Sequence, residues 1–228
     1  MTNIDYQQEP QQIQKTEIQY SPLRLIGILT LSVFFTVLLI VATFTRIKVF
    51  NCLQPIVGIL HPDFFPTIQD IFTLKSYFYI PQIPVILFAA SLLGGACSMI
   101  SVFLYVVIGL AFLPVFGLGG GFDYILQPTF GYILAFIPAA LIAGKLTEKE
   151  YTLKNLFLAS LVAVIVIHTF GFIYMFIISM IKHSNIPYIT DWLIFESFTR
   201  AIYDLFFGFI CMYIAKHTKK IIWILTSV

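Results

Sequence analysis

The chain has 228 residues, 59% of them hydrophobic and 11% charged, with a net charge of +2 and a mean hydropathy of +0.94. A soluble domain carries about 25% charged residues, so this chain has too little polar surface to cover a globule, and lipid is its expected solvent. The small, scattered net charge argues against nucleic acid, and three separated cysteines (Cys52, Cys97, Cys211) with no CxxC pair signal neither a zinc site nor a disulfide framework.

Residues 1–20 are polar and glutamine-rich, lack the basic start and short apolar core of a signal peptide, and read as a cytoplasmic tail. A helix needs roughly 20 apolar residues to cross the hydrocarbon core, and the uncharged run Leu25 to Thr45 predicts a first span over 24–45. The connection over 46–76 holds Pro55, Gly58, Pro62 and Pro66 and reads as an ordered outer loop or a short interfacial helix. Between Lys75 and Asp123 lie 47 uncharged residues, which predict spans over 77–93 and 96–116 joined at Gly94-Gly95. A fourth span, over 128–145, starts at Pro128, and a fifth covers 155–181. The sixth, over 190–215, carries Asp191, Glu196, Arg200 and Asp204 and is amphipathic. Residues 21–216 are thus expected to form one all-α membrane domain, a six-transmembrane-helix bundle, followed by a short basic and apolar tail over 217–228.

Basic residues orient the bundle, because they accumulate on cytoplasmic loops. With both termini inside, eight of them (Lys15, Arg24, Lys145, Lys149, Lys154, Lys216, Lys219, Lys220) are cytoplasmic and four (Arg46, Lys48, Lys75, Lys182) are outside. The expectation is N-in, C-in. This topology brings three unusual stretches to the outer face: the glycine cluster at 117–121, the start of the second helix with Gln82, and the first half of the sixth.

In the sixth helix Glu196, Arg200 and Asp204 are four apart and share a face. Charge at membrane depth usually faces a bundle interior or a wet cavity. These residues read as a polar pocket wall offering a donor (Arg200) and an acceptor (Asp204), against the plainer alternative of a self-neutralising ladder. Phe116, Phe122, Tyr124 and Tyr132, near the outer loop, suit a pocket for a small ring-shaped ligand. The stretch "AGKLT" (143–147) lacks the earlier glycine of a phosphate-binding loop, and Phe122 occupies the last glycine position of a dinucleotide fingerprint. His168 reads as a hydrogen-bonded packing residue. No HExxH and no nucleophile beside a base is present, so no enzyme, metal or catalytic cofactor is expected.

The stretch "ASLLGGACSMISVFLYVVIGLAFLPVFGLGGGFDYILQPTFGYILAF" resembles the BioY family, the biotin-binding subunits of energy-coupling-factor (ECF) transporters. The matching elements are Tyr105 and Gly109 in "LYVVIG", "LPVF" (113–116), the glycine cluster, Pro128-Thr129 and Gly131-Tyr132. The resemblance covers roughly residues 80–145, with an echo in "YDLFFGFICMYIAKHTKK", where Asp204 and Leu205 match. It implies six helices with both termini cytoplasmic, and biotin as transported ligand rather than cofactor. It also implies a transmembrane coupling protein and paired ATPases as partners in the bacterial cytoplasmic membrane. The implied ligand-facing residues are Asp204, Arg200, Gln82, Gly119, Gly120, Gly121, Thr129, Tyr132, Phe116 and Tyr124. The family usually places a lysine three residues after the aspartate; here that position is Phe207, and Arg200 lies one turn before Asp204. Glycines of the family are replaced by Gln127 and Phe130, and the small-xxx-small pattern of its first helix is poorly kept in "RLIGILTLSVFF". A solitary facilitator, a carrier of another vitamin-like nutrient and a structural membrane protein are the alternatives.

Overall fold

The computed structural model describes residues 22–50, 76–182, Ile189, Leu193 and 197–226. The expected tail over 1–20, most of the first connection, the start of the sixth span with Asp191 and Glu196, and residues 227–228 lie outside them. Six α-helices and one two-stranded antiparallel sheet form among the described residues. In chain order these are α1 (Pro22–Phe44), β1 (Ile47–Phe50), β2 (Ser76–Tyr79), α2 (Gln82–Leu93), α3 (Gly95–Ala111), a short 3-10 helix (Phe122–Leu126), α4 (Phe130–Lys149), α5 (Leu153–Ile181) and α6 (Thr199–Thr226). Helix α2 touches every other helix, and α1, α3, α4, α5 and α6 follow one another around it.

Three helix boundaries differ from expectation, each for an identifiable reason. The second helix starts at Gln82 rather than at residue 77, because Ser76–Tyr79 pairs with Ile47–Phe50 in the register Ile47 to Tyr79 and Phe50 to Ser76. Aromatic "SYFY" and "IKVF" suit a pleated surface, and Pro81 keeps Ile80 out of the helical region. The third helix stops at Ala111 rather than 116, as Pro114 disfavours helical backbone at Leu113. The sixth continues to Thr226, through residues expected as a tail, since no glycine or proline interrupts "AKHTKKIIWILT".

Ile26–Phe44, Phe130–Lys149 and Leu153–Ile181 are long and apolar enough to cross a membrane, while α2 and α3 are shorter apolar helices. Helix α1 buries one stripe, Ser32, Phe35, Thr36, Leu39 and Thr43, at helical spacing, and exposes Val33, Phe34, Val37 and Val41. Its polar stripe bonds to α3: the Thr36 hydroxyl donates to the Ser101 carbonyl at 2.9 Å, and the Thr43 and Tyr105 hydroxyls pair at 3.1 Å. On α4 Ala135, Ala139, Ala140 and Ala143 and on α5 Ala159 and Ala163 are buried, small residues of the kind that let helix backbones approach in lipid.

One end of the bundle is closed by polar contacts between turns. Gly94 (φ +88°) makes the α2–α3 corner, and the Gly95 N–H donates to Glu148 Oε1 at 2.8 Å. The Tyr151 hydroxyl donates to the Ser91 carbonyl at 2.9 Å, and Lys219 Nζ lies 5.4 Å from the Tyr151 ring. The sheet, the glycine turn and the start of α6 gather at the other end.

A Cβ on Gly144 would sit 2.2 Å from Gly95 N, whereas one on Gly117 meets nothing within 4 Å. Gly144→Ala is therefore expected to overpack the corner by about 1–3 kcal/mol and lower the melting temperature in detergent, with Gly117→Ala unchanged. A Gly144→Ala protein melting at the wild-type temperature would contradict this packing.

Candidate ligand cavity

A cavity of about 450 Å³ opens at the end that holds the sheet, within the range of small-molecule sites. Its chemistry centres on Asp204 of α6, which is 3% exposed. A buried carboxylate needs donors, and two other elements supply them. The Tyr79 hydroxyl on β2 donates to Oδ1 at 2.6 Å, and His168 Nε2 on α5 lies 3.1 Å from Oδ2. Burial first, and then the Asp204 charge, push the Tyr79 phenol above its ordinary range, so it remains the donor in this pair. His168 is hydrogen-bonded, as its sequence setting suggested, but its partner is the cavity carboxylate.

Gln82, the first residue of α2, is held from the side of α1 and α3. Its Nε2 donates to Thr43 Oγ1 at 2.8 Å and to the Tyr105 hydroxyl at 2.9 Å. Both amide hydrogens are thereby committed, and the carbonyl oxygen is what Gln82 offers to the cavity it lines. The aromatic wall comes from α4 and the segment before it. Tyr132 sits edge-on to His168, with ring centroids 5.7 Å apart, and its hydroxyl bonds Ser197. Gly171 makes room for that ring, since a Cβ there would fall 2.3 Å from it. Tyr124 pairs with Thr129 at 3.3 Å, and Ile133 and Phe136 complete the apolar side.

Of the residues expected to face a ligand, the cavity brings together Asp204, Arg200, Gln82, Thr129, Tyr132 and Tyr124. Phe116 and the three glycines do not line it. Phe116 is 1% exposed and lies behind the wall against Tyr105, Tyr124 and Phe130, at centroid distances of 5.4, 4.7 and 6.2 Å. Gly119, Gly120 and Gly121 shape the turn. Phe116 and Gly119 exchange backbone hydrogen bonds of 2.8 and 3.0 Å, and the Gly121 N–H donates to the Gly109 carbonyl at 2.8 Å. Gly119 (φ +125°) and Gly121 (φ +88°) need glycine, and a Cβ on Gly120 would meet Gly109 O at 2.7 Å. The rim contribution of this stretch is Gly117 and Leu118.

Sequence reading does not name Tyr79, takes His168 only as a packing residue and Arg46 only as an outer-side charge; all three line the cavity. Pairing of β1 with β2 positions both Tyr79 and the neighbourhood of Arg46, and that pairing is non-local. A lone histidine in an apolar helix was the available signal for His168. Among the described residues, no group of three His, Cys, Asp or Glu side chains gathers to hold a metal.

The profile of the BioY family matches residues 75–223. The chain belongs to this family. Similar relatives are the "Probable biotin transporter BioY" of Lysinibacillus sphaericus, 39% identical over 98 residues, and that of Pyrococcus horikoshii, 35% identical over 95 residues. These alignments take in 42% and 41% of this chain and 50% and 56% of the relatives, so the chain spans about half the length of the curated relatives it matches. A crystal structure of the S-component for biotin from an ECF-type ABC transporter superposes with a TM-score of 0.63, covering 88% of this chain and 95% of that one. At 22% identity it shows that the two share a fold. Family membership and the three helices of spanning length make this a multi-pass membrane protein.

Within this BioY-family fold, Phe207 stands where a lysine was expected and packs 5.3 Å from the Tyr79 ring. It thus braces the donor of Asp204 from behind. Tyr79→Phe removes the donor to Oδ1 and is expected to lower unliganded stability by about 1–3 kcal/mol, read as a lower melting temperature. Tyr213→Phe, at an exposed phenol, should leave melting unchanged; equal melting of both variants would contradict the assigned bond.

Proposed function

We propose that this protein captures biotin at the outer face of the bacterial cytoplasmic membrane and serves its uptake as the substrate-binding subunit of an ECF-type transporter. The observation that carries this reading is the fixed acceptor pair, Asp204 and the Gln82 carbonyl, at one aromatic-walled cavity in a BioY-family chain. Biotin has a neutral ureido ring with two N–H donors, an apolar fused ring and a carboxylate tail. The ureido N–H groups suit Asp204 and Gln82, the fused ring suits Tyr132, Phe136 and Tyr124, and Arg200 offers donors to the ureido carbonyl. Arg46, an exposed residue between α1 and β1, supplies a cation for the carboxylate. Backbone N–H groups of the glycine turn are less suited to that task, because those of Gly119 and Gly121 are already bonded within the protein.

All six helices act as spans in this reading, with both termini cytoplasmic. The polar corner of Gly95, Glu148, Tyr151 and Lys219 then lies inside and the cavity outside, in keeping with the lysine distribution. The protein performs no chemistry on its ligand. A transmembrane coupling protein and paired ATPases would reorient it for release, and the names of the relatives support a transport role.

Calorimetry on the full chain in detergent tests the site. Asp204→Ala is expected to weaken biotin by about a hundredfold or more. Arg46→Ala is expected to weaken biotin about tenfold while leaving the methyl ester of biotin unaffected, since that analogue has no anion to lose. Wild-type protein that binds no biotin overturns the reading, and equal losses for acid and ester remove Arg46 from it.

A further inference from the structure

Asp204 is a buried charge whose two oxygens are each met by a neutral side chain from a different element. Tyr79 arrives on β2 and His168 on α5. The tautomer of His168 follows from its other nitrogen. Nδ1 is buried and has no hydrogen-bond partner among the described residues, so a proton there would be an unpaired donor inside the bundle, at full desolvation cost. It would also leave the Nε2 lone pair facing the lone pairs of Oδ2. His168 therefore carries its hydrogen on Nε2 and donates it to Asp204, the nitrogen being assigned by what the other one lacks. Each carboxylate oxygen has two acceptor positions. One per oxygen is committed to Tyr79 or His168, and the others remain for a donor that enters the cavity.

The ring of His168 is itself fixed. Tyr132 packs edge-on against it, and Gly171, three residues further along α5, lets the Tyr132 ring lie close to the helix. Among the described residues the imidazole thus has a set place, a set tautomer and one hydrogen-bond partner. Phe207 offers no charge to this carboxylate and instead packs on Tyr79.

We propose that His168 is a positioning residue of the ligand site: its Nε2–H fixes Asp204 as an acceptor for a ligand N–H, and so makes the site specific for ligands that donate there. This rests on the biotin reading, in which the donor is a ureido N–H. A ligand group that can only accept finds two lone-pair-bearing oxygens and is rejected. An N-methylated ureido ring loses the interaction that His168 organises.

The test is biotin affinity of the full chain in detergent for wild type, His168→Leu, His168→Gln, Asp204→Asn and the double variant His168→Leu/Asp204→Asn, with N-methylated biotin as second probe. His168→Leu is expected to bind biotin on the order of 10- to 100-fold more weakly, the loss for a hydrogen bond to a charged group. His168→Gln, whose amide N–H can replace the imidazole donor, should recover most of that loss. In the Asp204→Asn background, removing His168 should cost little more, because coupled residues are non-additive. N-methylated biotin should bind wild type and His168→Leu with about the same reduced affinity, so that N-methylation costs less in the variant than in wild type. Unchanged affinity of His168→Leu, failure of Gln to rescue, or equal losses with and without Asp204 each overturns the proposal. Should His168→Leu not fold, His168→Gln carries the test: affinity within severalfold of wild type supports a donor role, and a loss of tenfold or more overturns it. Wild type that binds no biotin fails the functional reading itself, a result distinct from every outcome among the variants.

Discussion

The arrangement depends on one constraint: a carboxylate taken out of water has to be met by donors that stay put. Two of them come from other elements, so β2 and α5 are both brought to α6. Removing one partner of such a group leaves the other uncompensated, which is why buried polar sets are either complete or costly. The sheet pairing that carries Tyr79, the glycine at 171 that admits Tyr132 beside His168, and the aromatic packing of Phe207 all serve that requirement.

The rest of the bundle combines close approach at small residues with a core of larger side chains such as Leu39, Ile86, Leu87, Leu156 and Ile167. Lipid offers helices no hydrophobic reason to associate, so small residues and interhelical hydrogen bonds do that work. Gly131 against Tyr174 and Gly171 against Tyr132 seat α4 on α5, and Gly144 on Gly95 joins α4 to the α2–α3 corner. Serine and threonine hydroxyls tie α1 to α3. That last ladder ends at Thr43 and Tyr105, the same two groups that hold the Gln82 amide. One polar network thus serves both helix packing and the orientation of a cavity acceptor.

Much of this was legible in the sequence because hydropathy and charge act locally. Long uncharged runs marked the helices, and counting them placed Gln82, Thr129, Tyr132, Arg200 and Asp204 at one end, where the fold does assemble them. What escaped was non-local. Nothing within "SYFY" announces that it pairs with "IKVF" across a connection of 25 residues, so Tyr79 was read as helical and Arg46 as a loop charge. The glycine cluster misled in the opposite sense. Its composition suggested contact with a ligand, whereas positive φ angles and the bond from Gly121 to Gly109 assign Gly119 and Gly121 to a tight turn, and Phe116 lies behind the wall. His168 shows the limit of reading one residue at a time, for a lone histidine acquires meaning only when the carboxylate 36 positions away is folded against it.

The sheet gives the cavity a property that neither helices nor loops would supply alone. β2 carries the donor that orders Asp204, while β1 begins next to Arg46, the cation at the rim. Two strands in register move together, because the ladder Ile47–Tyr79 to Phe50–Ser76 fixes one against the other. A ligand that reached from Asp204 to Arg46 would therefore contact both ends of one mechanical unit, and its binding would favour the arrangement with the sheet seated over the cavity by its differential affinity for that arrangement. Unseating the sheet would withdraw the Tyr79 hydroxyl and the Arg46 guanidinium in one step.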